Sequence, residues 1–311
     1  MLKMLHKLKK KPIIITLIIV VITLLLIGFA KNLNSTSSKL QKKGYSKLEV
    51  QELINLNIRI DDILNIEYNK DIPYILKEKY YIDDNFYEYI NYKKENPDIS
   101  YSDIVALVNT NAYKGFYEVE YDVDLNNLIL VNKFYKLNED YVPINLVDVS
   151  YYHCFGEWKM DSEAYDSFIK MFNDANKLGY TIIINQAYRS YENQKYSYDA
   201  SDDNYAARPG HSEHQTGLAI DVITYKEDSF DVVSGDEFLN TNTYSWMLDN
   251  AYKYGFILRY PKDKEYITGY KYEPWHFRYV GYSIASIVHS EGITLDEYYA
   301  YYINNKTVSE I

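Results

Sequence analysis

Residues 207–221 read ARPGHSEHQTGLAID, and no other stretch constrains the chain as much. From Gly217 the pattern has period two. Leu218, Ile220 and Val222 point to one side of an extended strand, and Gly217, Ala219 and Asp221 to the other. One face is apolar and demands a core, while the opposite face carries a carboxylate among small side chains. His214 precedes Asp221 by more than one regular strand repeat, and Gly217 can supply the bend that returns the imidazole over the carboxylate. Two readings stay open on these residues alone. One is a polar loop running into a core strand, with His214 and Asp221 as a structural hydrogen-bonded pair. The other is part of a metal site in which Gly217 and Ala219 leave room for the ion.

A catalytic zinc needs three protein ligands and an open position. The candidate for the missing ligand lies in KYEPWHFRYVG (271–281), where Glu273 and His276 stand among Tyr, Trp and Phe. Pro274 between them disfavours a helix interior, so the segment is extended or turning and differs from a helical HExxH pair. A carboxylate among aromatics needs a partner or takes a raised pKa. Beside a metal, such a group can take a proton from water and pass it to a leaving amine.

The rest of the chain sets these segments in an α+β pattern. LILVNKF (128–134), TIIINQAYRS (181–190), GLAIDVI, GFILRYP and WHFRYVG have strand composition. Asp161 can cap a helix that stops at Gly179, TNTYSWMLDNAYKY reads as a helix ending at Gly255, and Thr294 and Glu297 offer a capping box. The irregular alternation predicts a mostly antiparallel central sheet with flanking helices. Residues 46–127 read differently: Ser46 and Glu49 form another capping box, ELINLNIRIDDILNI (52–66) has mixed helical spacing, and 100–109 resembles a helix start. That region is expected to be a helical stalk or spacer. An interaction domain is the rival reading.

Charge and cysteine usage exclude several classes. Five of the 33 basic residues precede residue 31 and none of the 44 acidic ones does, leaving 28 against 44. Such an acidic body argues against nucleic-acid binding. A single cysteine, Cys154, excludes an intrachain disulfide framework and a multi-cysteine zinc site. The uncharged run 13–30, IIITLIIVVITLLLIGFA, after Lys3, Lys7, Lys9, Lys10 and Lys11, predicts a single-pass transmembrane helix with the rest of the chain extracytoplasmic. The expected organisation is therefore a cytoplasmic flank and anchor (1–30), a linker (31–45), the helical region (46–127) and a main domain (128–311). Nothing in these residues assigns an oligomeric state.

SEHQTGLAID (212–221) and EPWH (273–276) together resemble the SxHxxGxAxD and ExxH motifs of VanY-like D-alanyl-D-alanine carboxypeptidases. These belong to the LAS group of zinc peptidases, named for lysostaphin, the D-Ala-D-Ala peptidases and sonic hedgehog. The likeness extends through YRSYENQ (188–194) and YGFILRYP and covers roughly residues 128–303. It implies a hedgehog/D-Ala-D-Ala-peptidase-like fold, with His214, Asp221 and His276 as zinc ligands. It further implies Glu273 as general base for the attacking water and Arg189 as the cation that stabilises the developing oxyanion, with Ser212 and Gln194 contacting substrate. The implied substrate is the terminal D-Ala-D-Ala of a peptidoglycan stem peptide. The alternatives are a stem-peptide endopeptidase with the same zinc site and a zinc-stabilised, non-catalytic wall-binding module. The span between Gln194 and Tyr205 is shorter than relatives of this kind usually carry. His211, His153 and His289 are expected to be structural, and His6 belongs to the basic flank.

Overall fold

The computed structural model describes residues 19–28, 31, 35–112, 119–120, 126–198, 207–226 and 229–303. The expected membrane-spanning helix and the single-pass membrane location are corrected at the N-terminus. Among the described residues no helix is long and apolar enough to cross a membrane. The described helical part of the apolar run covers 19–28. Residues 13–18 and 29–30 of the run, and His6, lie outside the described residues, as does most of the short span after Gln194.

The chain divides into two compact units, Met1–Val105 and Ala106–Ile311. In the first, helix α1 (Lys47–Leu56) starts at the Ser46–Glu49 capping box, in which each residue's side chain accepts from the other's backbone N–H. The apolar run 52–66 does not continue as one helix. Asn57 and Arg59 both take left-handed backbone angles (φ 52° and 51°), which ends α1 and starts α2 (Ile60–Asn65). The break lets Leu53 and Ile63 enter one small core with Leu40, Val50, Ile72 and Phe86.

The second unit is built on a five-stranded antiparallel sheet. A small hairpin of β1 (Leu146–Asp148) and β2 (Lys159–Asp161) precedes it. The sheet runs β3 (Ile183–Gln186), β4 (Ala219–Tyr225), β7 (His276–Tyr279), β6 (Phe256–Leu258), with the short β5 (Val232–Val233) also on β4. Helix α3 (Ser162–Lys177) is capped by Asp161, whose carboxylate accepts from the N–H groups of Glu163 and Ala164. Its apolar stripe of Phe168, Met171 and Ala175 joins Leu218, Ile220, Val222, Phe256 and Phe277 in the main core. The alternation in GLAIDVI thus has its apolar side in the core, and Asp221 is left on the other face.

LILVNKF is not a strand, although Ile129, Leu130 and Val131 are buried. The Asn132 side chain accepts from the N–H groups of Phe134 and Tyr135 and folds the segment into a turn. The carbonyls of Asn127, Ile129 and Val131 accept from Arg278 and Arg259, so they serve two buried cations and no strand ladder. Gly217 supplies the expected bend, at φ +70° after the 3₁₀ turn Glu213–Thr216. It does not make room for an ion, however. A Cβ there would meet the Leu146 side chain at 2.8 Å and the Asp161 backbone nitrogen at 3.3 Å. The glycine lets the turn press against the hairpin. Gly217→Ala should therefore cost about 1–3 kcal/mol of stability, read by chemical denaturation; an unchanged midpoint would contradict this close approach.

Candidate metal-dependent active site

Strand pairing assembles the site. In the β4–β7 register Asp221 lies opposite His276, and in the β3–β4 register it lies opposite Gln186. The Glu213–Thr216 turn brings His214 over the same end of β4. Its position is tied to the Arg189 loop by a bond from the Arg189 N–H to the His214 carbonyl (3.1 Å). The result is a cleft of about 330 Å³ whose lining includes Arg189, Ser212, His214, Asp221, Glu273 and His276. Tyr260, Tyr270 and Trp275 complete its walls.

His214, Asp221 and His276 offer ligand atoms that all lie within 4.8 Å of one another. His214 turns Nδ1 to the Ala187 carbonyl (2.7 Å), which leaves Nε2 facing Asp221 Oδ2 at 3.4 Å. His276 has the opposite polarity, with Nδ1 facing Asp221 Oδ1 at 2.9 Å. Two imidazole nitrogens and a carboxylate converging with an open cleft beside them are the donor set of a catalytic zinc site. The residues fit such an ion.

Electrostatics sort these groups. Burial lowers the His214 imidazole against the pull of Asp221, so it is neutral, as a ligand must be. For Asp221, burial would raise the carboxyl, but the facing His214 and His276 hold it well below the usual carboxylate range. Burial also opposes charge on His276. The hydrogen bond to Asp221, the Glu213 carboxylate 3.5 Å away and the charges of Asp221 and Glu273 outweigh it and push the imidazole up to about 9. Glu273 sits 3.8 Å from His276 Nδ1, and burial pushes its carboxyl up to about 7.

Arg189 is largely buried, and its hydrogen-bond partners are neutral. Nε donates to Gln194 Oε1 (2.7 Å), Nη1 to Gln186 Oε1 (2.6 Å) and Nη2 to Ser212 Oγ (3.5 Å). Gln194 donates its amide to the Ala207 carbonyl (2.6 Å), so both ends of that side chain are committed to holding the loop and the guanidinium. A cation aimed at a cleft by neutral groups keeps its charge available for an anion.

Two residues of the site are not evident from the motifs. Gln186, at the end of β3, holds Arg189. Glu213, fully buried, accepts at Oε1 from Arg259 Nε (2.7 Å) and Arg278 Nη1 (2.9 Å). Burial would raise its carboxyl, but the two arginines hold it well below the usual range. Among the described residues the other histidines make contacts elsewhere: His211 Nδ1 lies 2.7 Å from the Asn132 carbonyl, His153 Nδ1 2.7 Å from the Tyr165 hydroxyl, and His289 stacks on Tyr252. Cys154 is buried, and burial raises its thiol.

A raised carboxyl at Glu273 has a consequence for stability. The unfolded chain ionises this group near 4.5 and the folded one only near 7. Stability is intact below the first value and is withdrawn as pH rises through the second. In metal-free protein Glu273→Gln should thus be neutral at pH 4 and stabilising at pH 8 by up to about 3 kcal/mol, measured by denaturant melts at both values. Equal stability of the two proteins at pH 8 would remove the strained carboxyl.

Comparison with known proteins places this site in a family context. The family model VanY, D-alanyl-D-alanine carboxypeptidase, matches residues 157–282, a narrower span than the motifs alone suggested. YodJ of Bacillus subtilis strain 168, provisionally named a carboxypeptidase, is 42% identical over 186 residues, covering 56% of this chain and 67% of that protein. A D-alanyl-D-alanine carboxypeptidase of Enterococcus faecium is 37% identical over 199 residues, 61% of this chain and 63% of the relative. Among solved structures, the LD-carboxypeptidase LdcB, described in connection with peptidoglycan recognition, superposes with a TM-score of 0.52 at 39% identity, over 58% of this chain and 92% of that one.

Proposed function

The chain belongs to the VanY family of D-alanyl-D-alanine carboxypeptidases, and we propose that it is a zinc-dependent enzyme that removes the terminal D-alanine from peptidoglycan stem peptides. The observation that carries the zinc reading is the convergence of His214 Nε2, Asp221 and His276 Nδ1 beside a buried, proton-accepting Glu273. Residues 128–311 form the peptidase domain in this reading and 46–127 a helical spacer.

His214, Asp221 and His276 would hold the ion. When bound, zinc supplies Lewis acidity toward the scissile carbonyl and the attacking water. The chain's own groups do the rest. Glu273 takes the proton from the attacking water and returns it to the leaving D-alanine nitrogen, a task suited to a carboxyl titrating near neutrality. Arg189, fixed by Gln186 and Gln194, faces the negative charge that develops on the carbonyl oxygen. Ser212, beside that guanidinium on the cleft wall, is placed to hydrogen-bond substrate.

A second reading concerns the bond that is cut. The similarity to LdcB, an LD-carboxypeptidase, favours testing a scissile bond preceded by an L-residue alongside D-Ala–D-Ala. Purified protein loaded with zinc should release free D-alanine from a pentapeptide stem, and a chelator should abolish release reversibly. Glu273→Gln should retain the metal and lose about 10²- to 10⁴-fold in rate. Equal rates for wild type and variant would sink the mechanism. Release from a tetrapeptide but not a pentapeptide would select the L,D reading, and internal cleavage of intact muropeptide would select the endopeptidase.

Zinc uptake carries its own signature. Neighbouring carboxylates push the His276 imidazole up to about 9 in the metal-free protein, so ligation through Nδ1 is expected to displace a proton. Calorimetry in buffers of different ionisation heat should therefore register release of about one proton per zinc; uptake without proton release would show that His276 is already neutral before the ion binds.

A further inference from the structure

Glu213 stands between Ser212 and the ligand candidate His214 in sequence and belongs to the same cleft lining, yet its carboxylate is wholly buried against Arg259 and Arg278. Only one of its oxygens is used by the arginines. Oε1 receives both Arg259 and Arg278, while Oε2 makes no bond within ordinary hydrogen-bonding reach. Oε2 faces His276 Nε2 at 3.5 Å, and that nitrogen is likewise buried without another partner. A group required only to neutralise two arginines would offer them both oxygens. Here one oxygen is reserved for an imidazole whose other nitrogen faces Asp221.

An imidazole that ligates through Nδ1 while neutral must carry its proton on Nε2, and that N–H needs an acceptor. An ionised carboxylate can only accept, so it dictates which nitrogen keeps the proton. Glu213 can stay ionised because its surroundings are balanced: Arg259 also pairs with Asp296 (2.6 Å), giving two buried carboxylates for two buried guanidiniums. His214 has the equivalent device in backbone form, its Nδ1 facing the accept-only carbonyl of Ala187. Both ligand histidines therefore have an obligate acceptor behind them, one from the main chain and one from a side chain.

We propose that Glu213 is a positioning residue for the metal site, fixing His276 as the Nε2–H tautomer so that Nδ1 presents its lone pair to the ion. The inference rests on the zinc reading of the site. It differs from a purely structural role in predicting a change of proton position and not only of stability. In Glu213→Gln the amide oxygen stays with the two arginine donors, which turns the NH₂ toward His276 Nε2. That nitrogen must then accept, and the proton moves to Nδ1, where it blocks ligation.

Two measurements on the full chain decide it. Chelator competition should show zinc affinity about 10- to 100-fold weaker in Glu213→Gln than in wild type, with circular dichroism confirming that the variant is folded. Long-range ¹H–¹⁵N correlation of the histidine rings in zinc-loaded wild type should show His276 protonated at Nε2. Where Glu213→Gln does not fold, the wild-type ring spectrum decides alone. A His276 ring protonated at Nδ1, or a folded variant that binds zinc as tightly as wild type, overturns the inference while leaving the zinc site standing. A wild type that takes up no zinc overturns both.

Discussion

Everything at the site depends on the pairing of β4 with β7. The antiparallel register sets Asp221 directly across from His276, so a carboxylate and an imidazole meet as cross-strand neighbours with no loop needed to bring them together. A one-residue slip would turn His276 to the apolar side and Phe277 to the cleft. What prevents the slip is the core face: Ile220 and Val222 on β4 and Phe277 on β7 are all fully buried. The same apolar contacts that stabilise the sheet therefore set the geometry of Asp221 and His276, and a side-chain pair on two core strands is held more rigidly than one on loops.

Two arginines, Arg278 on β7 and Arg259 just past the end of β6, show what this arrangement requires. Arg259 and Arg278 are both wholly buried, positions where an unpaired cation would be untenable. Arg278 is satisfied by Glu213 and by the carbonyls of Asn127 and Ile129, Arg259 by Glu213 and Asp296. Asp296 belongs to the short helix α4 (Leu295–Tyr298), which opens with the Thr294–Glu297 capping box. The cluster thus ties a segment near the C-terminus and the irregular 127–131 stretch to the back of the metal site. Loss of one member leaves a partner's charge buried and uncompensated, which is where such networks are costly, about 3–5 kcal/mol.

That cluster also marks the boundary of what the amino-acid order reveals. His214, Asp221, Glu273 and His276 are legible because strand periodicity and local composition single them out, and the motif spacing joins them across fifty residues. The strands around GLAIDVI and WHFRYVG, the Asp161 cap and both capping boxes are equally legible, since each rests on local physics. LILVNKF misleads because its composition is that of a strand while its carbonyls are needed by arginines 128 and 149 or more positions away. Gln186 and Glu213 escape notice for the same reason, as their partners are set by tertiary pairing. The signal for Glu213 was present in another form: GFILRYP and WHFRYVG each place an arginine among apolar residues that are buried, and two such cations require a carboxylate from elsewhere.

Three carboxylates within this one site end up in three electrostatic regimes. Asp221 is kept ionised by the two imidazoles, and Glu213 by the two arginines. Glu273, buried with weaker compensation, is pushed up toward neutrality. Carboxyl groups of like intrinsic acidity are thereby placed where the proposed mechanism needs a ligand, an acceptor that orients a ligand, and a proton carrier. Environment makes the division, because each carboxyl has different neighbours within the same few ångströms. A hydrolase that must hold a cation and also move a proton needs at least one carboxyl of each kind, and the sheet register with its buried arginines is what lets them differ.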